Sequence, residues 1–127
     1  EGNYDAAEAK LEEAKGLVET AKNPRKFESY HMAKGYVSLQ KKEYDQAIDH
    51  LKQANPNGIY VKYLLAVAQQ KAGNMDESLA LMEEISDNNF NGIGYALVRK
   101  EVKSSLAEIL QLINSFRVFR SKLQSWF

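Results

Sequence analysis

Apolar residues recur along this chain at spacings of three, four and seven, the signature of side chains that share one face of a helix. The pattern repeats. Tyr4, Ala7, Leu11 and Ala14 are echoed by Tyr44, Ala47, Leu51 and Ala54, and again by Met75, Ser78, Met82 and Ile85. In each copy an aromatic or Met precedes an Asp, a small residue follows three positions after the aromatic or Met, and apolar residues follow at seven and ten. The copies start 40 and then 31 residues apart, close to the ~34-residue period of stacked helical hairpins.

The pattern predicts six helices. The first spans 4–22, capped by Asn3 and ended by Asn23 before Pro24, because a residue preceding proline is pushed out of the helical region. The second runs from Arg25 to Gln40 with Phe27, Tyr30, Ala33, Tyr36 and Val37 apolar. The third covers 44–54 and stops at Asn55-Pro56. The fourth, Ile59 to Ala72, is apolar nearly all round, which predicts cover on two sides. Gly73 is placed to cap it in the left-handed region. The fifth is Met75 to Ser86. Asp87-Asn88-Asn89 reads as a loop. Asn89-Phe90-Asn91-Gly92-Ile93 then repeats Asn55-Pro56-Asn57-Gly58-Ile59 at an offset of 34 and marks a sixth helix. Val98, Val102, Leu106, Ile109, Ile113 and Phe116 extend that helix across Ser104-Ser105, with no repeat-like turn near residue 107.

The blocks Gly2-Asn3-Tyr4-Asp5-Ala6-Ala7, Glu43-Tyr44-Asp45-Gln46-Ala47-Ile48 and Gly73-Asn74-Met75-Asp76-Glu77-Ser78 resemble the turn and second-helix start of tetratricopeptide repeats. Leu65-Ala66 sits where that family has its Leu-Gly pair. Gly35 sits at the same place one repeat earlier, where Lys34 replaces the Leu. The resemblance covers residues 2–103. It implies an all-α fold, a right-handed superhelix of antiparallel helix pairs whose first helices line a concave surface, with a C-terminal capping or extended helix. The domain reading is about three repeats over 1–103, the first incomplete, followed by an amphipathic helix over 104–127.

The chain opens with what reads as a second helix. Its stripe at Ala7, Leu11 and Ala14 is therefore expected to be partly uncovered, to be met by further repeats upstream or by a partner. On the family's register the concave side presents Met32, Tyr36, Leu39 and Gln40, then Tyr60, Tyr63, Val67 and Gln70. Aromatic side chains there suit peptide recognition, but they equally suit packing against neighbouring helices. The resemblance further implies a protein or peptide partner and no enzymatic activity. Family members that clamp a chaperone carboxylate use paired Lys and Asn on a first helix; Lys34 and Lys62 are followed four residues later by Ser38 and Ala66, so that clamp is missing.

Composition narrows the chemistry. Among 127 residues, 17 basic side chains balance 17 acidic ones, which gives nucleic acid no electrostatic footprint. No cysteine is present, so disulfide and thiolate chemistry are out. That composition fits a reducing, cytoplasmic setting; Glu1 in place of Met leaves a trimmed, periplasmic or lipid-anchored origin open. His31 and His50 lie 19 apart and lack the one-turn spacing of a helical metal pair, so they read as surface or groove residues. The carboxylate pairs Asp45/Asp49 and Glu8/Glu12 read as solvated faces rather than acid–base catalysts. Ser104 and Ser105 have no His in view, and Asn91-Gly92-Ile93-Gly94 is a helix entrance rather than a phosphate loop. No cofactor is called for.

After Glu108 no acidic residue occurs, while Arg117, Arg120 and Lys122 add positive charge. Phe116, Phe119, Leu123 and Trp126 form an aromatic stripe on the same stretch. Three readings stand for it: a cap over the last repeat, an association helix for a homo-oligomer or partner through 104–127, or, least favoured, a membrane-surface helix.

Overall fold

A computed structural model describes residues 2–87 and 92–125. Six helices follow one another: α1 (Tyr4–Glu19), α2 (Glu28–Gln40), α3 (Tyr44–Gln53), α4 (Ile59–Ala72), α5 (Met75–Asp87) and α6 (Ile93–Ser125). No strand occurs among the described residues. Each helix packs on the next, and α4 also touches α2 and α6. The first helices of successive pairs thus meet one another, whereas α3 meets neither α1 nor α5. The first helices α2, α4 and α6 thus form a contiguous layer of a helical solenoid.

Local chemistry sets the ends. The Asn3 side chain accepts the Ala6 N–H at 3.1 Å and caps α1. The helix stops at Glu19, three residues short of the expected end. The cause is Lys26, whose Nζ donates to the Glu19 carbonyl at 2.6 Å and the Ala21 carbonyl at 3.1 Å. It satisfies carbonyl groups that another helical turn would otherwise use. Asn23 accepts the Arg25 N–H at 2.9 Å in an Asx turn, and α2 starts at Glu28 rather than Arg25.

The α2–α3 and α4–α5 turns are alike. Glu43 N–H reaches the Ser38 carbonyl and Asn74 N–H the Gln69 carbonyl, both at 2.9 Å, the six-to-one bond of a Schellman cap. The left-handed residue is Gly73 in one turn (φ 90°) and Lys42 in the other (φ 65°). The lysine carries a strain of roughly 1 kcal/mol that glycine escapes.

Two apolar clusters form the core. Ala47, Ile48, Leu51, Ala54, Val61, Leu64 and Ala68 join α3 to α4, with Met32 and Leu39 of α2 against them. Ala66, Met82, Ile85, Val98 and Val102 join α4, α5 and α6. Tyr63 touches both clusters, which accounts for the apolar character of α4 all round. Small residues set the helix separations. A Cβ on Gly35 would lie 2.6 Å from Leu51 Cγ, so α2 rests directly on α3. One repeat on, Ser78 Oγ donates to the Ala66 carbonyl at 2.9 Å and Ser78 is fully buried.

The α1 helix is held differently, since none of its residues is buried. Glu8 takes Lys41 at 2.8 Å and Lys34 at 3.1 Å, and Glu12 accepts the Tyr30 hydroxyl at 2.7 Å. The lysine hydrogen bonds hold the Glu8 carboxyl below its ordinary value, and the Tyr30 hydroxyl does the same for Glu12. Burial, then the Glu12 hydrogen bond, pushes Tyr30 up to about 12.

At the other end α6 runs unbroken through Ser104-Ser105. Burial, rather than the backbone, changes along it. Val98, Val102 and Ile109 are fully buried, while every described residue from 114 to 125 is exposed. The expected 87–89 loop and the 89–93 repeat match fall largely on residues 88–91, outside the described residues.

Candidate functional site

A groove of about 540 Å³ opens where α1, α2 and α4 converge. Ala7, Lys10 and Leu11 line one wall; Met32, Ala33, Tyr36 and Val37 form the base; Tyr60 and Leu64 close the far side. Positions 7 and 11 of α1 are one turn apart, as are 32 and 36 of α2, so each helix offers a short apolar strip. Tyr36 and Tyr60 remain 43% and 38% exposed. Large amphipathic rings at the edge of an apolar hollow are the composition of a binding surface. The Lys10 ammonium, paired with Glu13 at 2.7 Å, is the charged group on the lining.

The eight residues expected on the concave side divide, and Leu39 packs against the α3–α4 cluster. Met32, Tyr36 and Tyr60 come together in this groove. Tyr63 turns toward Tyr60, ring centroids 6.4 Å apart, but packs into the core, where burial raises its pKa. Val67 packs on the α4–α6 cluster. Gln40 is exposed and Gln70 half-buried, and neither lines the groove. Ala33, Val37 and Leu64 were not among the expected contact residues, whereas Ala7 and Leu11 belong to the stripe expected to be met by upstream repeats or a partner. Periodicity flags α1, because Ala7 and Leu11 hold the repeat positions of Ala47 and Leu51 yet are only half-buried among the described residues.

Of the tail residues, Phe116, Phe119 and Leu123 are exposed; Trp126 lies outside the described residues. A smaller hollow of about 290 Å³ is lined by Met75, Ile109, Leu112, Ile113 and Phe116, with Arg117 and Arg120 at its edge. No described helix is long and apolar enough to cross a membrane.

The two histidines come together across the α2–α3 hairpin. Helices α2 and α3 bring His31 and His50 together with Nδ1 atoms 3.0 Å apart, one donating to the other, and the Tyr30 ring stands edge-on to both. A 19-residue separation hid the contact because pairing across a hairpin has no helical spacing. Among the described residues no three His, Cys, Asp or Glu side chains gather as a metal site.

Burial lowers both imidazole pKa values. Lys15 adds to this for His31, and His31 and Lys34 add to it for His50, against the opposing charges of Asp49 and Glu12. A histidine depressed on folding contributes stability above its unfolded value near ~6.5, and that stability is lost as pH falls through the folded value. The melting temperature is therefore expected to drop between pH 7.5 and 5.5, and to drop less in the His31→Gln/His50→Gln variant. Parallel curves for the two proteins would show that the pair contributes no such pH dependence. The Glu8 and Glu12 contributions are lost only in a lower window, below their ordinary 4.5.

A family profile described as tetratricopeptide repeat matches residues 38–101, the stretch that holds the α3–α4–α5 core and the start of α6. The chain is a tetratricopeptide-repeat protein. Such repeats generally mediate protein–protein interaction and are typically non-enzymatic. No curated protein matches the chain. No solved structure matches it either. The tetratricopeptide assignment accounts for the Gly35 and Ala66 contacts, the paired Schellman turns and the inward layer of first helices.

Proposed function

We propose that this tetratricopeptide-repeat solenoid is a scaffold that binds a segment of a partner protein in the groove between α1, α2 and α4. The observation that carries the reading is the groove's apolar base beneath two half-exposed tyrosines, Tyr36 and Tyr60. Burying two such rings against a ligand is worth several kcal/mol, and truncating a buried interface aromatic commonly costs at least ~2 kcal/mol. Peptides selected by display on the parent chain supply the probe. The Tyr36→Ala/Tyr60→Ala variant is expected to bind them ~100-fold more weakly while keeping its helical circular dichroism, because neither side chain is buried in the core. Equal affinity in a folded variant would remove the groove from the function.

A second reading, self-association through 104–127, is favoured by one observation. The α6 face that buries Val98, Val102 and Ile109 continues into Phe116, which is 70% exposed, with Phe119 at 62% beside it. An apolar face extending past its own supports suits a contact with another molecule.

A further inference from the structure

Helices α2 and α3 set His31 and His50 face to face, Nδ1 to Nδ1 at 3.0 Å. Both rings are half-buried. A hydrogen bond there fixes the protons, whichever ring donates. The donor uses Nδ1–H and keeps Nε2 bare; the acceptor offers a bare Nδ1 and carries its proton on Nε2. The first added proton goes to the donor's Nε2. The donor becomes an imidazolium, and the contact survives as a stronger, charge-assisted bond. A second added proton has only the accepting Nδ1 left. It would set two N–H groups of two cations against each other across 3.0 Å, with no acceptor between them. The closed contact therefore holds one added proton, whereas two separated imidazoles hold two.

We propose that the His31–His50 contact is a one-proton latch between α2 and α3: a first proton leaves it closed, and a second parts the rings and withdraws their support from Tyr30. The inference stands apart from the groove reading. Tyr30 carries the effect outward. Its ring stands edge-on to both imidazoles at centroid distances of 5.2 and 6.2 Å. Its hydroxyl donates to Glu12 of α1 at 2.7 Å, and the Lys15 ammonium lies 5.6 Å from its centroid. The latch thus bears on three helices. Burial opposes charge on both rings. Lys15 of α1 and Lys34 of α2 add to that opposition, while Glu12 of α1 and Asp49 of α3 favour charge. Burial and the Glu12 bond push Tyr30 up to about 12, so it stays neutral; the Tyr30 hydroxyl holds Glu12 below its ordinary 4.5, so it stays ionised. Between pH 7.5 and 5.5 these two keep their charge states while the pair does not. Because the parted rings bind one proton more than the closed contact, the parted state gains about tenfold per pH unit below the ordinary imidazole value of ~6.5.

Nitrogen NMR of the imidazole rings in the full chain, followed from pH 7.5 to 5.5, reads the protons directly. One ring is expected to become protonated on both nitrogens while the other keeps a bare Nδ1. A second state follows, with both rings fully protonated and the Tyr30 ring resonances displaced. Two fully protonated rings with Tyr30 resonances unmoved would overturn the latch, as would Tyr30 resonances that are the same at both pH values. Denaturation midpoints give the second readout. The closed contact needs both rings, so His31→Gln or His50→Gln alone should remove most of the midpoint difference between pH 7.5 and 5.5, and the double variant little more. Single variants that each remove about half, summing in the double variant, would show two histidines titrating separately and overturn the latch. A loss of stability by the same amount at both pH values would mark a merely structural bond and overturn it too.

Discussion

Gly35→Val is expected to destabilise the protein by about 3 kcal/mol, read as a lower denaturation midpoint at unchanged slope. A Cβ there would stand 2.6 Å from Leu51 Cγ, 2.9 Å from Leu51 Cδ2 and 3.3 Å from the Ala47 carbonyl oxygen. Leu51 has nowhere to go, being 1% exposed within the α3–α4 cluster. The two helices must separate, and separation loosens every contact along their length. Gly35→Ala sets two effects against each other. Replacing a mid-helix glycine gains up to ~1 kcal/mol of helix propensity, while the overlap costs about 1–3 kcal/mol; a net loss near 1 kcal/mol is expected. Leu51→Ala alone costs ~2–5 kcal/mol by leaving a cavity, and in that background the Gly35→Ala penalty should largely vanish, since the two residues share one contact. A Gly35→Ala chain more stable than its parent would show that close approach is not what the glycine serves.

The second large effect concerns where α6 stops being structural. A chain ending at Glu108 loses Ile109, which is fully buried, together with half-buried Ile113, and should lose about 3 kcal/mol of stability. A chain ending at Ser115 loses only exposed positions among the described residues, so its stability should stay within ~0.5 kcal/mol of the parent. Denaturation midpoints measured over a protein-concentration series separate two roles. A parent midpoint that rises with concentration while that of the Ser115 chain does not would assign Phe116 and Phe119 to self-association. Midpoints independent of concentration in both would leave α6 as a cap ending near Ile113. Equal stability of the Glu108 and Ser115 chains would contradict the burial of Ile109.

Helices with strong periodicity were readable in advance because their pattern is local. The α4 helix falls on its expected bounds, Ile59 to Ala72, and Gly73 closes it in the left-handed region. The ends of α1 and α2 were not readable, since a lysine side chain arriving from the next turn stops α1 early. Three of the eight residues expected on the concave side, Met32, Tyr36 and Tyr60, line the groove. Tyr63 and Val67 have the composition of both a hot spot and a core, and only the arrival of α6 decides between them. The histidine contact was hidden for a related reason: pairing across a hairpin depends on the register of two helices, and spacing along one chain does not encode it. Ala7 and Leu11 were visible as a repeat position, but their place opposite Tyr36 and Tyr60 depends on how α1 leans on α2.

That lean has its own consequence. Because α1 is fastened by Glu8, Glu12, Lys34, Lys41 and Tyr30 rather than by buried side chains, its attachment depends on ionic strength in a way that the α3–α5 core does not. Counter-ions weaken partly exposed ion pairs and leave apolar packing intact. One wall of the groove is thus adjustable while its base is rigid. Amide protons of α1 should exchange with solvent well before those of α3, with salt widening the interval between them. A ligand that grips both walls would act as a clasp, closing a wall that the chain by itself holds only loosely.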